Sequence, residues 1–131
     1  MSEETSHPQS RAPDIGEFVW FDLSAGPAAE LAEFYCGVVG WKKEAVSVGG
    51  YQDFTMLTSD ATPAAGVCHA RGANSKLPPM WIPYITVASV DESIATCLER
   101  GGSIVDGPRQ MGGSNVCVLK DPVGAVFAVA E

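Results

Sequence analysis

Basic residues are scarce in this chain: eight Lys and Arg stand against 16 Asp and Glu, a formal net charge of −8. A surface of that sign repels phosphate, which argues against nucleic acid or an anionic lipid face as the partner. Long apolar runs are missing too, and no stretch approaches the roughly 20 residues that a membrane-crossing helix needs. The first residues lack the basic start and apolar core of a secretory signal, so a cytoplasmic protein is expected. The four cysteines, Cys36, Cys68, Cys97 and Cys117, form no C-x-x-C pair and no ladder of metal-ligand spacing. They are expected to be reduced thiols buried in strands and helices. Histidine is scarcer still, with only two, His7 and His69. No Ser-His-Asp or Cys-His arrangement follows from the spacing. The glycines of Arg109-Gln110-Met111-Gly112-Gly113-Ser114 are not followed by the Gly-Lys-Ser/Thr of a phosphate loop.

What is present points to a packed core. Hydrophobic residues make up 46% of 131 residues, enough for one domain with a real interior. Residues 1–13 are polar, carry Pro8 and Pro13 and show no apolar period, so a flexible tail holding His7 is expected there. Residues 14–131 are expected to form a single domain. Glu17 to Leu23 alternates as a strand with Phe18, Trp20 and Asp22 on one face and Val19, Phe21 and Leu23 on the other. A helix follows from about Pro27, with Leu31, Phe34, Tyr35 and Val38 at helical spacing, and Gly40 stops it. Strands are expected at Trp41 to Val48, Tyr51 to Thr58 and Ala64 to Ala70. The Gly, Asn, Ser, Lys and Pro residues of Arg71 to Pro79 are linker chemistry.

The cycle then restarts. Met80 to Val87 is a strand. A helix follows, with Asp91 and Glu92 at its N-terminus, a stripe of Val90, Ile94, Cys97 and Leu98, and Gly101-Gly102 at its end. Ser103 to Asp106, Asn115 to Leu119 and Ala125 to Ala130 complete the set, with Arg109 to Ser114 expected as a hairpin loop over a cavity mouth. The order is βαβββ twice, over about 16–72 and 80–131. The separation from Trp20 to His69 nearly equals that from Ile82 to Ala128, which pairs these positions between the halves.

This duplication, together with Phe34-Tyr35 ahead of Gly40-Trp41 and the closing DPVGAVFAVAE, resembles the vicinal oxygen chelate superfamily, the glyoxalase, bleomycin-resistance and extradiol dioxygenase fold. The resemblance implies an α+β fold in which two βαβββ modules form a curved mixed sheet around a shared cavity. It also implies a homodimer, an expectation that thin sheets with apolar edges to cover support. Metal-binding relatives hold a divalent ion through the first and last strands of each module. Carried over, those positions are Trp20, His69, Ile82 and Ala128. Trp, Ile and Ala offer no lone pair to such an ion, so neither a metal nor another cofactor is expected, and glyoxalase I activity is not expected either.

What remains is a cavity for a small organic molecule, with Trp20, Asp22, His69, Tyr84 and Thr86 in its lining and Arg71 and Trp81 near its mouth. His69 is either an acid or base near neutral pH or a hydrogen-bonded strand histidine. Three functions stay open: a metal-free binding protein, a metal-dependent lyase or dioxygenase-type enzyme, and a non-catalytic scaffold or regulatory protein.

Overall fold

Two βαβββ modules build the chain in the computed structural model, which describes residues 12–131. The expected tail, with His7, lies almost entirely outside the described residues. The first module runs β1 (Phe18–Ala25), α1 (Ala28–Val39), β2 (Lys42–Ser47), β3 (Gln52–Leu57) and β4 (Pro63–His69). A single 3-10 turn over Gly72–Asn74 opens the link to β5 (Trp81–Thr86), α2 (Val90–Glu99), β6 (Ser103–Met111), β7 (Ser114–Lys120) and β8 (Val126–Ala130). All eight strands join one open mixed sheet in the order β2-β3-β4-β1-β5-β8-β7-β6. Within each module the first and last strands run parallel, and β1 meets β5 antiparallel at the centre. The order is therefore the same from either edge once the modules are exchanged.

Local chemistry explains the boundaries. Gly40 ends α1 in the left-handed region at φ 80°, where its N–H reaches the Cys36 carbonyl. Ser89 caps α2 by accepting a hydrogen bond from the Glu92 N–H, and Asp91 and Glu92 favour the positive end of the helix. The edge strand β2 is exposed throughout and carries Lys42, Lys43 and Glu44, charges that discourage further strand pairing.

Both helices lie on one side of the sheet. Ala28 and Ala32 of α1 pack on Phe54, Met56 and Val67, and Val90 of α2 packs on Cys117, Leu119 and Val129. Strand alternation sends the next residues to the opposite, inner face. There Ile82, Tyr84, Val116, Val118 and Ala128 form a separate core, covered by Leu77 from the link, with Trp20, Val105, Met111, Val126 and Ala130 against it.

Four local readings change. The buried stripe of α1 is Ala28 and Ala32, while Phe34 and Val38 are exposed. Small side chains let the helix approach the sheet closely, so the larger apolar residues fall to its flanks. Leu98 likewise leaves the buried stripe of α2. Phe18 does not share a face with Trp20: a register shift between them lets Phe18 stack on Phe21 at 6.0 Å. Finally, Arg109 to Met111 is strand. It pairs with β7, and two irregularities around Gly107-Pro108 absorb the residues that spoke for a loop.

Candidate functional site

The inner face carries one polar cluster amid apolar walls. Trp20 and Asp22, two positions apart on β1, point the same way, and the indole Nε1 donates to Asp22 Oδ1 at 2.6 Å. Tyr84 lies on β5, beside Trp20 in the register, and its hydroxyl donates to the same carboxyl group. Directly across on β4 stands Gly66, the register partner of Asp22. A Cβ at Gly66 would overlap Asp22 Oδ1, so the glycine supplies the space the carboxyl group occupies. Cys68, on the same face of β4, donates to Asp53 of β3.

Asp53 also ties in His69. Its Oδ1 accepts the His69 backbone N–H at 2.9 Å and lies 3.3 Å from the imidazole Nδ1. The imidazole meets Tyr51 edge-on at 5.1 Å, and the Arg71 guanidinium lies over the Tyr51 ring at 4.1 Å. Across the face, Arg109 pairs through Nε with Asp106 Oδ2 at 3.1 Å and reaches Asn74 Oδ1 at 3.3 Å.

These side chains fall into two groups and an outlier. Trp20, Asp22 and Tyr84 converge. His69 and Arg71 sit together at the end of β4, joined to that group through Asp53. Trp81 is on the helix side, where its Nε1 donates to the Tyr35 hydroxyl at 3.1 Å and its ring meets Trp41 at 5.8 Å. Alternation decides this, because Tyr84 faces inward and Trp81 is an odd number of residues before it. Thr86 shares the inward alternation of Tyr84 and pairs with Ala130. Gly66, Asp53, Cys68 and Arg109 belong to the cluster without having been singled out. A glycine inside an otherwise alternating strand was the available signal for Gly66.

The register also moves one correspondence. Asp22 faces Gly66 across the parallel pair of the first module, and Tyr84 faces Ala128 in the second. Tyr84 is thus the counterpart of Asp22, and Gly66, not His69, the counterpart of Ala128. His69 lies beyond that point, level with Ala25. Trp20 and Ile82 remain matched. The positions that hold a metal in metal-binding relatives are then Trp20, Gly66, Ile82 and Ala128, none with a donor side chain. Among the described residues no group of three or more His, Cys, Asp and Glu side chains is disposed around a common point to hold a metal ion. The residues present do not fit a divalent metal.

Burial, opposed by the two hydrogen bonds, raises the Asp22 pKa above its ordinary value, and the nearby Asp53 charge adds to the rise. Burial likewise pushes the Tyr84 hydroxyl and the Cys68 thiol well up, with the charge of Asp22 adding to both, so both stay protonated at neutral pH. Cys68 is therefore no ready nucleophile. For Asp22 the sign of the stability effect follows from linkage. The stability its protonated form contributes is fully present below the unfolded value of 3.8 and is lost as pH rises through the higher folded value. Asp22→Asn keeps an acceptor for Trp20 and removes the buried charge. Thermal melts should show the variant gaining on the parent protein at pH 7, with the advantage shrinking as pH falls through the folded Asp22 pKa. A variant that melts lower at pH 7 would refute this account of the charge.

A groove of about 540 Å³ opens on the other side of the sheet, between α2 and Ile15, Ile85, Phe127 and Val129. None of Trp20, Asp22, His69 and Tyr84 lines it.

Two modules sharing one mixed sheet, with polar side chains gathered on its helix-free face, define a protein of the vicinal oxygen chelate superfamily. Residues 19–130 match the Glyoxalase-like domain, and the chain belongs to that family. It is 28% identical over 127 residues to the anthracycline biosynthesis protein DnrV of Streptomyces peucetius, covering 87% of this chain and 46% of the relative. It is also 28% identical over 113 residues to the putative glyoxylase CFP32 of Mycobacterium bovis, covering 84% of this chain and 43% of that protein. The chain thus spans just under half the length of these curated relatives. Among solved structures, it is similar to the methylmalonyl-CoA epimerase of Mycobacterium tuberculosis (TM-score 0.56, 13% identity, 92% of this chain and 91% of that one). It is equally similar to a variant of the Streptomyces coelicolor epimerase in complex with 2-nitronate-propionyl-CoA (TM-score 0.55, 18% identity, 89% and 97%). At these identities the likeness is one of fold.

Proposed function

We propose that the chain binds a small organic molecule on the inner face of its sheet, without the divalent metal of metal-binding relatives. The observation that carries this reading is the Trp20–Asp22–Tyr84 cluster, a hydrogen-bonded polar group set among Ile82, Val116, Val118 and Ala128. Aromatic and aliphatic walls with a few placed polar groups are what a small-molecule site requires. The absence of donor side chains at Trp20, Gly66, Ile82 and Ala128 supports the metal-free form. His69 and Arg71 border the site in this reading.

The test is a titration of chelator-treated protein with 1-naphthalenemethanol, followed by tryptophan fluorescence. Saturable quenching is expected, with the same affinity before and after chelation, and Trp20→Phe should remove most of the signal. Failure to saturate in the millimolar range, or binding that needs an added metal ion, would overturn the reading.

The proposal extends to a homodimer in the cytoplasm. Ile15, Phe18 and Phe21 expose 71%, 59% and 41% of their surface, apolar area that a second copy would cover. Sedimentation as a clean monomer at micromolar concentration would remove this part.

A further inference from the structure

The carboxylates of the inner face differ in the groups that face them. Asp106 has Arg109, with Nε at 3.1 Å from Oδ2. Asp53 has His69, with Nδ1 at 3.3 Å, as well as a backbone N–H and the Cys68 thiol. Asp22 has only neutral donors, the Trp20 indole and the Tyr84 hydroxyl. Among the described residues no Lys, Arg or His makes an ion pair or hydrogen bond with it. Arg109 does act on Asp22 from a distance, but its influence is the smallest of those at work there and Asp53 opposes it.

Burying a carboxylate without a cation costs free energy. Here the fold makes room for it deliberately, because Gly66 leaves empty the volume that any other residue would fill. The group is not sealed in. Asp22 and Trp20 both keep partial solvent exposure, so a ligand can reach the carboxyl group along the indole. Trp20, Val105, Met111, Val126 and Ala130 present half-buried apolar side chains on the core beside it. Among the described residues, Arg109 is already held by Asp106 and Asn74 and the Arg71 guanidinium lies over the Tyr51 ring, which leaves little for an anionic ligand to bind.

We infer that Asp22 selects the ligand by charge, and that the site takes a protonated amine carried on an aromatic or aliphatic body. The inference rests on the proposal that this face binds a small organic molecule. The ammonium supplies the missing counter-ion, Trp20 supplies a face that favours cations, and the half-buried apolar side chains beside it take the body. The net charge of −8 draws such a ligand towards the protein. Binding also releases any proton that Asp22 holds, since a cation beside it favours the ionised form.

A matched series tests this: 1-naphthalenemethylamine, 1-naphthalenemethanol and 1-naphthaleneacetate, titrated at pH 7 and low salt. The amine is expected to bind at least about ten-fold more tightly than the alcohol, as a charge-assisted hydrogen bond allows, and the acetate most weakly. Asp22→Asn should abolish the difference between the amine and the alcohol, and a cooperative thermal melt of the variant shows that it is still folded. The alcohol binding as well as the amine, or the acetate binding best, would overturn the charge selection and leave the binding function standing. No binding by any of the three would overturn both. A preference for amine that survives in Asp22→Asn would assign the selection to Asp53 or Asp106 and refute the role of Asp22.

Discussion

Ile82→Ala should lower the unfolding free energy by about 2–5 kcal/mol, measured by urea denaturation with an unchanged slope. Ile82 is 1% exposed on β5, at the centre of the sheet, and is the register partner of Asp22. Its side chain packs in the core formed with Leu77, Tyr84, Val116, Val118 and Ala128. Most of these neighbours sit on β5, β7 and β8, which the ladder hydrogen bonds hold in place. They have little freedom to close the gap, so the cavity persists and adds to the lost burial. Leu77 comes from the link and has the most room to adjust, which sets the lower end of the range. A loss under about 1 kcal/mol would mean that the inner core is loosely packed, against the burial described here. The outcome bears on function as well. Ile82 occupies a position that carries a metal ligand in metal-binding relatives, and in this chain the position works as packing.

Gly66→Ala should cost about 1–3 kcal/mol and disturb the site at the same time. The new methyl group meets Asp22 Oδ1, the end of a short side chain held by Trp20 and Tyr84. Asp22 can move only by giving up the 2.6 Å hydrogen bond from the indole. The signature is therefore double, a lower midpoint and a shift in tryptophan emission. Coupling makes the test specific. In an Asp22→Ala background the overlap is gone, and Gly66→Ala should become neutral or stabilise by roughly 0.5–1 kcal/mol, since glycine is a poor strand residue. Equal costs in the two backgrounds would show that Gly66 is needed for its backbone or for another neighbour.

Some of this was open to sequence reading because it depends on near neighbours. Trp20 and Asp22 are two residues apart on a strand, so their shared face follows from alternation alone, and their hydrogen bond completes it. Tyr84 joins them through the strand that restarts the repeat. Asp53, Cys68 and Arg109 were not legible in this way. Each reaches the site from a different strand, and Arg109 does so from a segment whose Gly and Pro content spoke for a loop. Trp81 is an odd number of residues before Tyr84, so alternation already sets the two on opposite faces, and packing decides only which of those faces carries the helices.

The order of elements, the two modules and the helix ends were determined by the sequence itself, through periodicity, the Ser89 cap and the left-handed Gly40. So was the shortage of donor side chains at the positions matched to metal ligands: His69 is at most one donor there, and Gly66 in its place leaves none. Only the tertiary structure decided the register of β4 against β1, and with it that Gly66 lies opposite Asp22 and His69 lies beyond. Parallel partners are joined here by a helix and two further strands, and small shifts in those connections leave the local pattern unchanged. The register is set instead by what fits across the sheet: a glycine where the carboxyl group of Asp22 needs the room.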